Sequence, residues 1–171
     1  MSRATRKGAI VGAFVAHPLE IRLSHAWKAL PDDARRVLFR LEVEHMLHGG
    51  ACNGALACTY ADFHADGLRR SSISLAIRQC VALGFLQVTQ AGRRSISDFR
   101  RPSLYRITYL NGRGASPDPT HDWRHFGTAE DAAAALAKAK TPPPMKGKSA
   151  GARRPPPTES IDRRPARGSW Q

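Results

Sequence analysis

From Ser24 onward, apolar positions recur first with the period of a helix and later with the period of a strand. Ser24 is placed to cap a short helix through Leu30, with Ala26 and Trp27 turned inward. Pro31 then suits the first turn of a longer helix, and Asp32 and Asp33 suit its positive end. Ala34, Val37, Leu38 and Leu41 follow at spacings of three and four, continuing to His45 or Met46, which predicts an amphipathic helix stopped by Gly49 and Gly50. Asn53-Gly54 signals a turn, and residues 56–60 form a short β-prone stretch. Residues 61–66 suit a short helix anchored by Phe63 and ended by Gly67.

After that turn, Ser71 or Ser72 can cap a helix running to Leu83 and closed by Gly84. Ile73, Ile77, Cys80 and Val81 fall on one stripe, the predicted core side. The opposite side carries Ser71, Leu75, Arg78 and Ala82, flanked by Ser74 and Gln79, and is polar, small and positive. Past Gly84 the period changes to two: Leu86 and Val88 alternate with Gln87 and Thr89 until Ala91-Gly92. Residues 93–102 are polar and basic, and residues 104–110 alternate again, with Tyr105, Ile107 and Tyr109 on one side. The predicted order is helix, strand, helix, turn, helix, strand, basic loop, strand.

That order, with the turn at Asp66-Gly67, the run Ser72-Ile73-Ser74-Leu75-Ala76-Ile77 and the ending Ala82-Leu83-Gly84-Phe85-Leu86, resembles the winged helix-turn-helix superfamily. The block of residues 24–110 also resembles uncharacterised helix-turn-helix proteins of bacterial phages and plasmids. The resemblance covers about half of the chain and implies an α+β fold: a three-helix core with a small antiparallel β-wing, followed here by a short helix and a disordered basic tail. It further implies that the second helix of the turn enters the DNA major groove while the wing touches backbone or minor groove. The residues this assigns to DNA are Arg69, Arg70, Ser71, Ser72, Ser74, Arg78 and Gln79 on the helix, and Arg93, Arg94, Arg100 and Arg101 on the wing.

Charge sharpens the expectation. The chain carries 27 Lys and Arg against 14 Asp and Glu, a formal net charge of +13, which favours a polyanionic partner. Within residues 61–110 all the positive charge is arginine, at 69, 70, 78, 93, 94, 100, 101 and 106, against Asp62, Asp66 and Asp98. Arginine bridges phosphates and reads guanine through two parallel bonds. Residues 1–17 read as a flexible basic arm, 18–112 as the domain, and 113–140 as a linker with an Ala-rich helix that forms readily but buries little. Within that linker, Trp123 and Phe126 either dock back on the domain or serve a protein partner. Residues 141–171, with two triple-proline runs, predict a disordered tail that either binds phosphate backbones or merely solubilises.

Other chemistries are weaker. His45, His48, Cys52, Cys58 and His64 lie close in sequence and include zinc-ligand types, yet no CxxC pair occurs and Cys58 alternates as a core residue would. A structural role without metal is the expectation. Glu42 and Glu44 face different sides of their helix, and no phosphate-loop, nucleophile-elbow or HExxH pattern occurs, so no enzyme and no cofactor are expected. Three cysteines fit a reducing compartment, and no apolar run reaches the roughly 20 residues of a membrane span. Residues 8–18 lack a cleavage site and are not read as a signal peptide. The sequence thus predicts a cytoplasmic, nucleoid-associated bacterial protein that binds specific double-stranded DNA as a transcriptional regulator. Two alternatives stand beside it: a phage- or plasmid-type replication factor, and a protein-interaction module with a non-specific nucleic-acid-binding tail. Homodimerisation and a protein partner for residues 113–140 are left open.

Overall fold

The computed structural model describes residues 11–92, 101–111 and 118–141. Among the described residues, six α-helices and a small three-stranded antiparallel sheet make a mixed α+β structure. The helices are α1 (Leu19–Leu23), α2 (His25–Ala29), α3 (Asp32–Leu47), α4 (Tyr60–Ala65), α5 (Arg70–Ala82) and α6 (Ala129–Lys140). The strands are β1 (Leu56–Cys58), β2 (Leu86–Gln90) and β3 (Ser103–Ile107), and a single 3-10 turn covers Asp122–His125. From α3 to β3 the element order is the one expected from periodicity.

Three helix ends share one device. At α3, α4 and α5 a glycine with positive φ (Gly49 at 60°, Gly67 at 88°, Gly84 at 73°) follows the last helical turn. In each, the next amide reaches back to a carbonyl five residues earlier: Gly50 to His45 at 3.0 Å, Leu68 to Phe63 at 3.1 Å, Phe85 to Cys80 at 3.0 Å. This is the Schellman closure, which satisfies carbonyls that the helix leaves orphaned. Thr59 and Asp62 form a reciprocal capping box at the start of α4, which is why β1 stops at Cys58 rather than running to residue 60.

The core lies between α3, α5 and the sheet. Val37, Leu38 and Leu41 meet Ile73, Cys80, Leu56, Tyr105 and Ile107, all buried. β3 is central, paired with β1 through Leu56 opposite Tyr105 and with β2 through Leu86 opposite Ile107. β3 ends at Ile107, short of residue 110, but Tyr109 and Leu110 remain buried in the turn that follows. Asn53 is a buried pin: its amide donates to the carbonyls of Ile107 at 2.9 Å and Leu110 at 3.1 Å, and accepts from the Ile107 amide at 2.8 Å.

Two boundaries differ from expectation. In the described part of the basic arm, His17 bonds Glu42 at 2.7 Å and packs edge-on against Trp27 and Tyr109, while Val15 rests on the core. A buried carboxylate needs partners, and His17 and Tyr109 supply them. Downstream, the docked alternative holds for Trp123 and Phe126, and α6 packs on the domain as well. Trp123 is buried, Phe126 packs on the core, and α6 lies along α5 and α2 with Ala132 and Ala139 buried. Alanine lets two helix backbones approach closely, so an Ala-rich helix buries more than its side-chain size suggests. The expected tail and residues 1–10 lie outside the described residues.

Gly84 is the tightest point: a Cβ there would sit 2.6 Å from the Asp122 carbonyl carbon, whereas at Gly49 it would meet nothing within 4 Å. Gly49→Ala should therefore cost only the left-handed penalty of about 1–2 kcal/mol. Gly84→Ala should cost about 3 kcal/mol or more, because the 3-10 turn must also move. Urea unfolding of both variants tests this, and equal losses would contradict the packing described.

Candidate nucleic-acid interface

α5 is presented by α3 on one flank, α4 and its turn at the start, and α6 on the other flank. Arg69 occupies the N-cap position, and no side chain caps the helix; the Ser72 hydroxyl instead donates to the Arg69 carbonyl at 3.0 Å. The expected capping serines thus lie inside the first turn. The Ser72 amide also donates to the Arg69 carbonyl at 3.0 Å, and the first turn carries no acidic residue against the positive end of the helix dipole. α5 contains no Asp or Glu at all.

The seven residues assigned to the helix surface separate by exposure. Arg69, Arg70, Ser71 and Ser74 are exposed, and Ser72 and Arg78 are half-buried. Gln79 is corrected: at 7% exposure it is buried and lines a groove with Asp33, Ser72 and Leu75. The buried arc of α5 is rotated from the expected one: Leu75 and Gln79 line a groove with Pro31, Asp32 and Asp33 at the start of α3, and Val81, expected in the core, is 41% exposed. Arg78 is held at the edge, its Nε donating to the Ala139 carbonyl at 3.0 Å and an Nη to the Ser74 hydroxyl at 2.9 Å.

Asp32 and Asp33 lie beside Ser72 and Gln79 in the groove, Asp32 with Arg35 at 3.1 Å, and two acids of α4 and its turn are engaged. Asp66 pairs with Arg40 at 3.4 Å, and Asp62 is locked to Thr59, whose hydroxyl and amide hold its carboxyl below the usual carboxylate range. Arg36 reaches the Gly67 carbonyl at 3.4 Å and adds a further exposed cation to the turn before α5. On the hairpin, Arg101 is exposed at the base, where the Gly92 amide donates to the Ser103 hydroxyl at 2.9 Å. Arg93, Arg94 and Arg100 lie outside the described residues. Arg106 is spent on structure, bonding the Gln87 side chain and the Asp118 carbonyl.

The histidines and cysteines are dispersed. His45 is buried on α3, where desolvation lowers its pKa; His48 bonds the Glu44 carbonyl and His64 the Leu68 carbonyl, each at 2.9 Å. Among the described residues no three His, Cys, Asp or Glu side chains gather as a metal site would require, and no helix is long and apolar enough to cross a membrane. Glu42 and Glu44 do face apart, one toward His17 and Tyr109, the other toward Arg40 and His48. Sequence reasoning missed His17 and Asn53 as structural residues, since neither lies on a periodic stripe. Comparison of the chain with protein-family models, curated proteins and solved structures returns no match.

Burial pushes the Cys58 thiol up to about 12 and raises that of Cys80 as well, while Cys52 is only half-buried. Thiolates, not thiols, react. Near neutral pH a disulfide reagent should label Cys52 readily in the native chain, and Cys58 and Cys80 only at the rate of unfolding. Mass spectrometry of partly labelled protein reads this directly; native labelling of Cys58 as fast as Cys52 would contradict the burial of β1.

Proposed function

We propose that this chain is a winged helix-turn-helix protein that binds specific double-stranded DNA, with a regulatory role in transcription. The observation that carries the reading is the acid-free, exposed side of α5, where Arg69, Arg70, Ser71, Ser74 and Arg78 form one continuous basic strip. The strip is borne by a helix with α4 and a tight turn before it, and an antiparallel hairpin after it. A 13-residue helix is about 20 Å long and fits the roughly 12 Å width of a major groove. In this arrangement Arg78 and the serines address base edges. Arg69, Arg70 and the uncapped start of α5 meet phosphates, and the hairpin arginines meet the adjacent backbone or minor groove. The net charge of +13 supplies sequence-independent attraction and fast encounter.

A second reading rests on a different surface. Phe39 and Val43, each 43% exposed, and Leu47, 73% exposed, form an apolar stripe on the outer side of α3, of the kind that contacts another protein. In that reading α5 is a solvated face.

Binding to duplexes separates the two. Arg78→Ala should cost about 1–3 kcal/mol on a duplex selected from a random pool and much less on random-sequence DNA. Arg93→Ala with Arg94→Ala should weaken both duplexes alike and lower the salt slope by about 2, near one unit per lost phosphate contact. Fluorescence anisotropy across a salt series measures both effects. Equal losses on the two duplexes for Arg78→Ala would remove the reading role from α5, and no binding by the intact chain would favour the apolar stripe of α3.

A further inference from the structure

Arg78 and α6 hold each other. The Ala139 carbonyl belongs to the last turn of α6, where the helix leaves carbonyls without amide partners and its dipole is negative. Arg78 Nε satisfies that carbonyl at 3.0 Å, from a residue 61 positions away in sequence. A second bond, from an Nη to the Ser74 hydroxyl at 2.9 Å, fixes the guanidinium from the α5 side. A guanidinium has five N–H donors in a rigid fork. Two are used here, which leaves three, at least one of them on each Nη.

We propose that α6 is a positioning element of the nucleic-acid surface: its C-terminal carbonyl pre-orients Arg78 so that the outer edge of the guanidinium is set for two-bond readout of a base. The inference rests on the reading of α5 as the DNA-contacting helix. A free arginine loses much side-chain entropy on binding, and one already immobilised in the unbound protein does not. Ser74, one turn before Arg78 on the same side, completes the holder. The Ala-rich composition of α6 suits this role, because Ala132 and Ala139 are buried where α6 packs on α5 and α2. The coupling is mutual: whatever loosens the last turn of α6 loosens Arg78, and loss of the arginine frays that turn.

The test uses the full chain with Ala137→Gly and Lys140→Gly together, two exposed positions in the last turn of α6 whose change touches no packed side chain. Without DNA, the Arg78 Nε–H signal in a 15N spectrum should be protected from exchange in the parent chain and lost in the variant. With DNA, affinity for a duplex selected by the parent chain should fall about 3- to 10-fold, the worth of one pre-immobilised side chain. Affinity for a random-sequence duplex should stay within about 2-fold. Arg78→Lys, which keeps the charge but not the fork, should lose the selected duplex more than the random one. Unprotected Nε–H in the parent chain overturns the holding contact itself. Unchanged or tighter binding of the selected duplex by the glycine variant overturns the positioning role. A protected Nε–H in a chain that binds no duplex overturns the DNA reading of α5 and the positioning role with it.

Discussion

The junction at Gly84 is the constraint from which the rest of the molecule follows. There α5 ends, β2 begins, and the chain after β3 returns to the same point. The Thr108 hydroxyl donates to the Gly84 carbonyl at 2.6 Å, the Thr108 amide to the Phe85 carbonyl at 3.1 Å, and the His121 amide to the Thr108 carbonyl at 3.0 Å. Asp122 then lies over the glycine so closely that a single methyl group would displace it, and its carboxylate accepts from Gln87 at 2.9 Å. Three segments far apart in sequence are thus fixed by one residue lacking a side chain. The direction of α5, the start of the hairpin and the placement of α6 are set together.

The basic surface is what this arrangement leaves unspent. Several acids around the domain are consumed by the fold: Asp62 in the α4 cap, Asp66 on Arg40, Glu44 on Arg40 and His48, Glu42 beneath His17 and Tyr109; Asp32 and Asp33 stay in the groove beside Ser72 and Gln79. Arg35, Arg40 and Arg106 are likewise committed to internal partners. The exposed Arg69 and Arg70 are not, and Arg78 is bound through Nε and one Nη. Self-satisfaction of the surrounding charges raises the contrast of the strip, and the absence of acid on α5 keeps its helix-start potential positive.

How much of this was legible in the sequence depends on the range of the interaction. Helix ends are local, so Gly49, Gly67 and Gly84 marked the closures of α3, α4 and α5 without any knowledge of the fold. The period-two runs located β2 and β3 for the same reason, and Ser24 capped α2 as expected through the Trp27 amide at 3.1 Å. What escaped was long-range. The helical wheel of α5 could not include its packing neighbours, so it placed Val81 inside and left Gln79 outside, each the reverse of what packing dictates. His17 and Asn53 are polar residues whose partners lie 25 and 54 or more positions away, and no periodicity marks them. The Ala-rich stretch was legible as a helix but not as a packed one, because alanine carries little apolar signal and contributes through close approach. For the candidate site, the residue types and charge were readable, while the division into exposed, held and buried members required the neighbours.

The central claim is that the exposed side of α5 and the adjoining hairpin meet nucleic acid together. Chemical-shift mapping of the 15N-labelled chain, titrated with a duplex selected from a random pool, tests it most directly. The perturbed signals should be those of Arg69, Arg70, Ser71, Ser74 and Arg78, and of Arg101 on the hairpin. The stripe of Phe39, Val43 and Leu47 on α3 stays unchanged. Perturbations confined to that stripe, or to residues outside both surfaces, would contradict it.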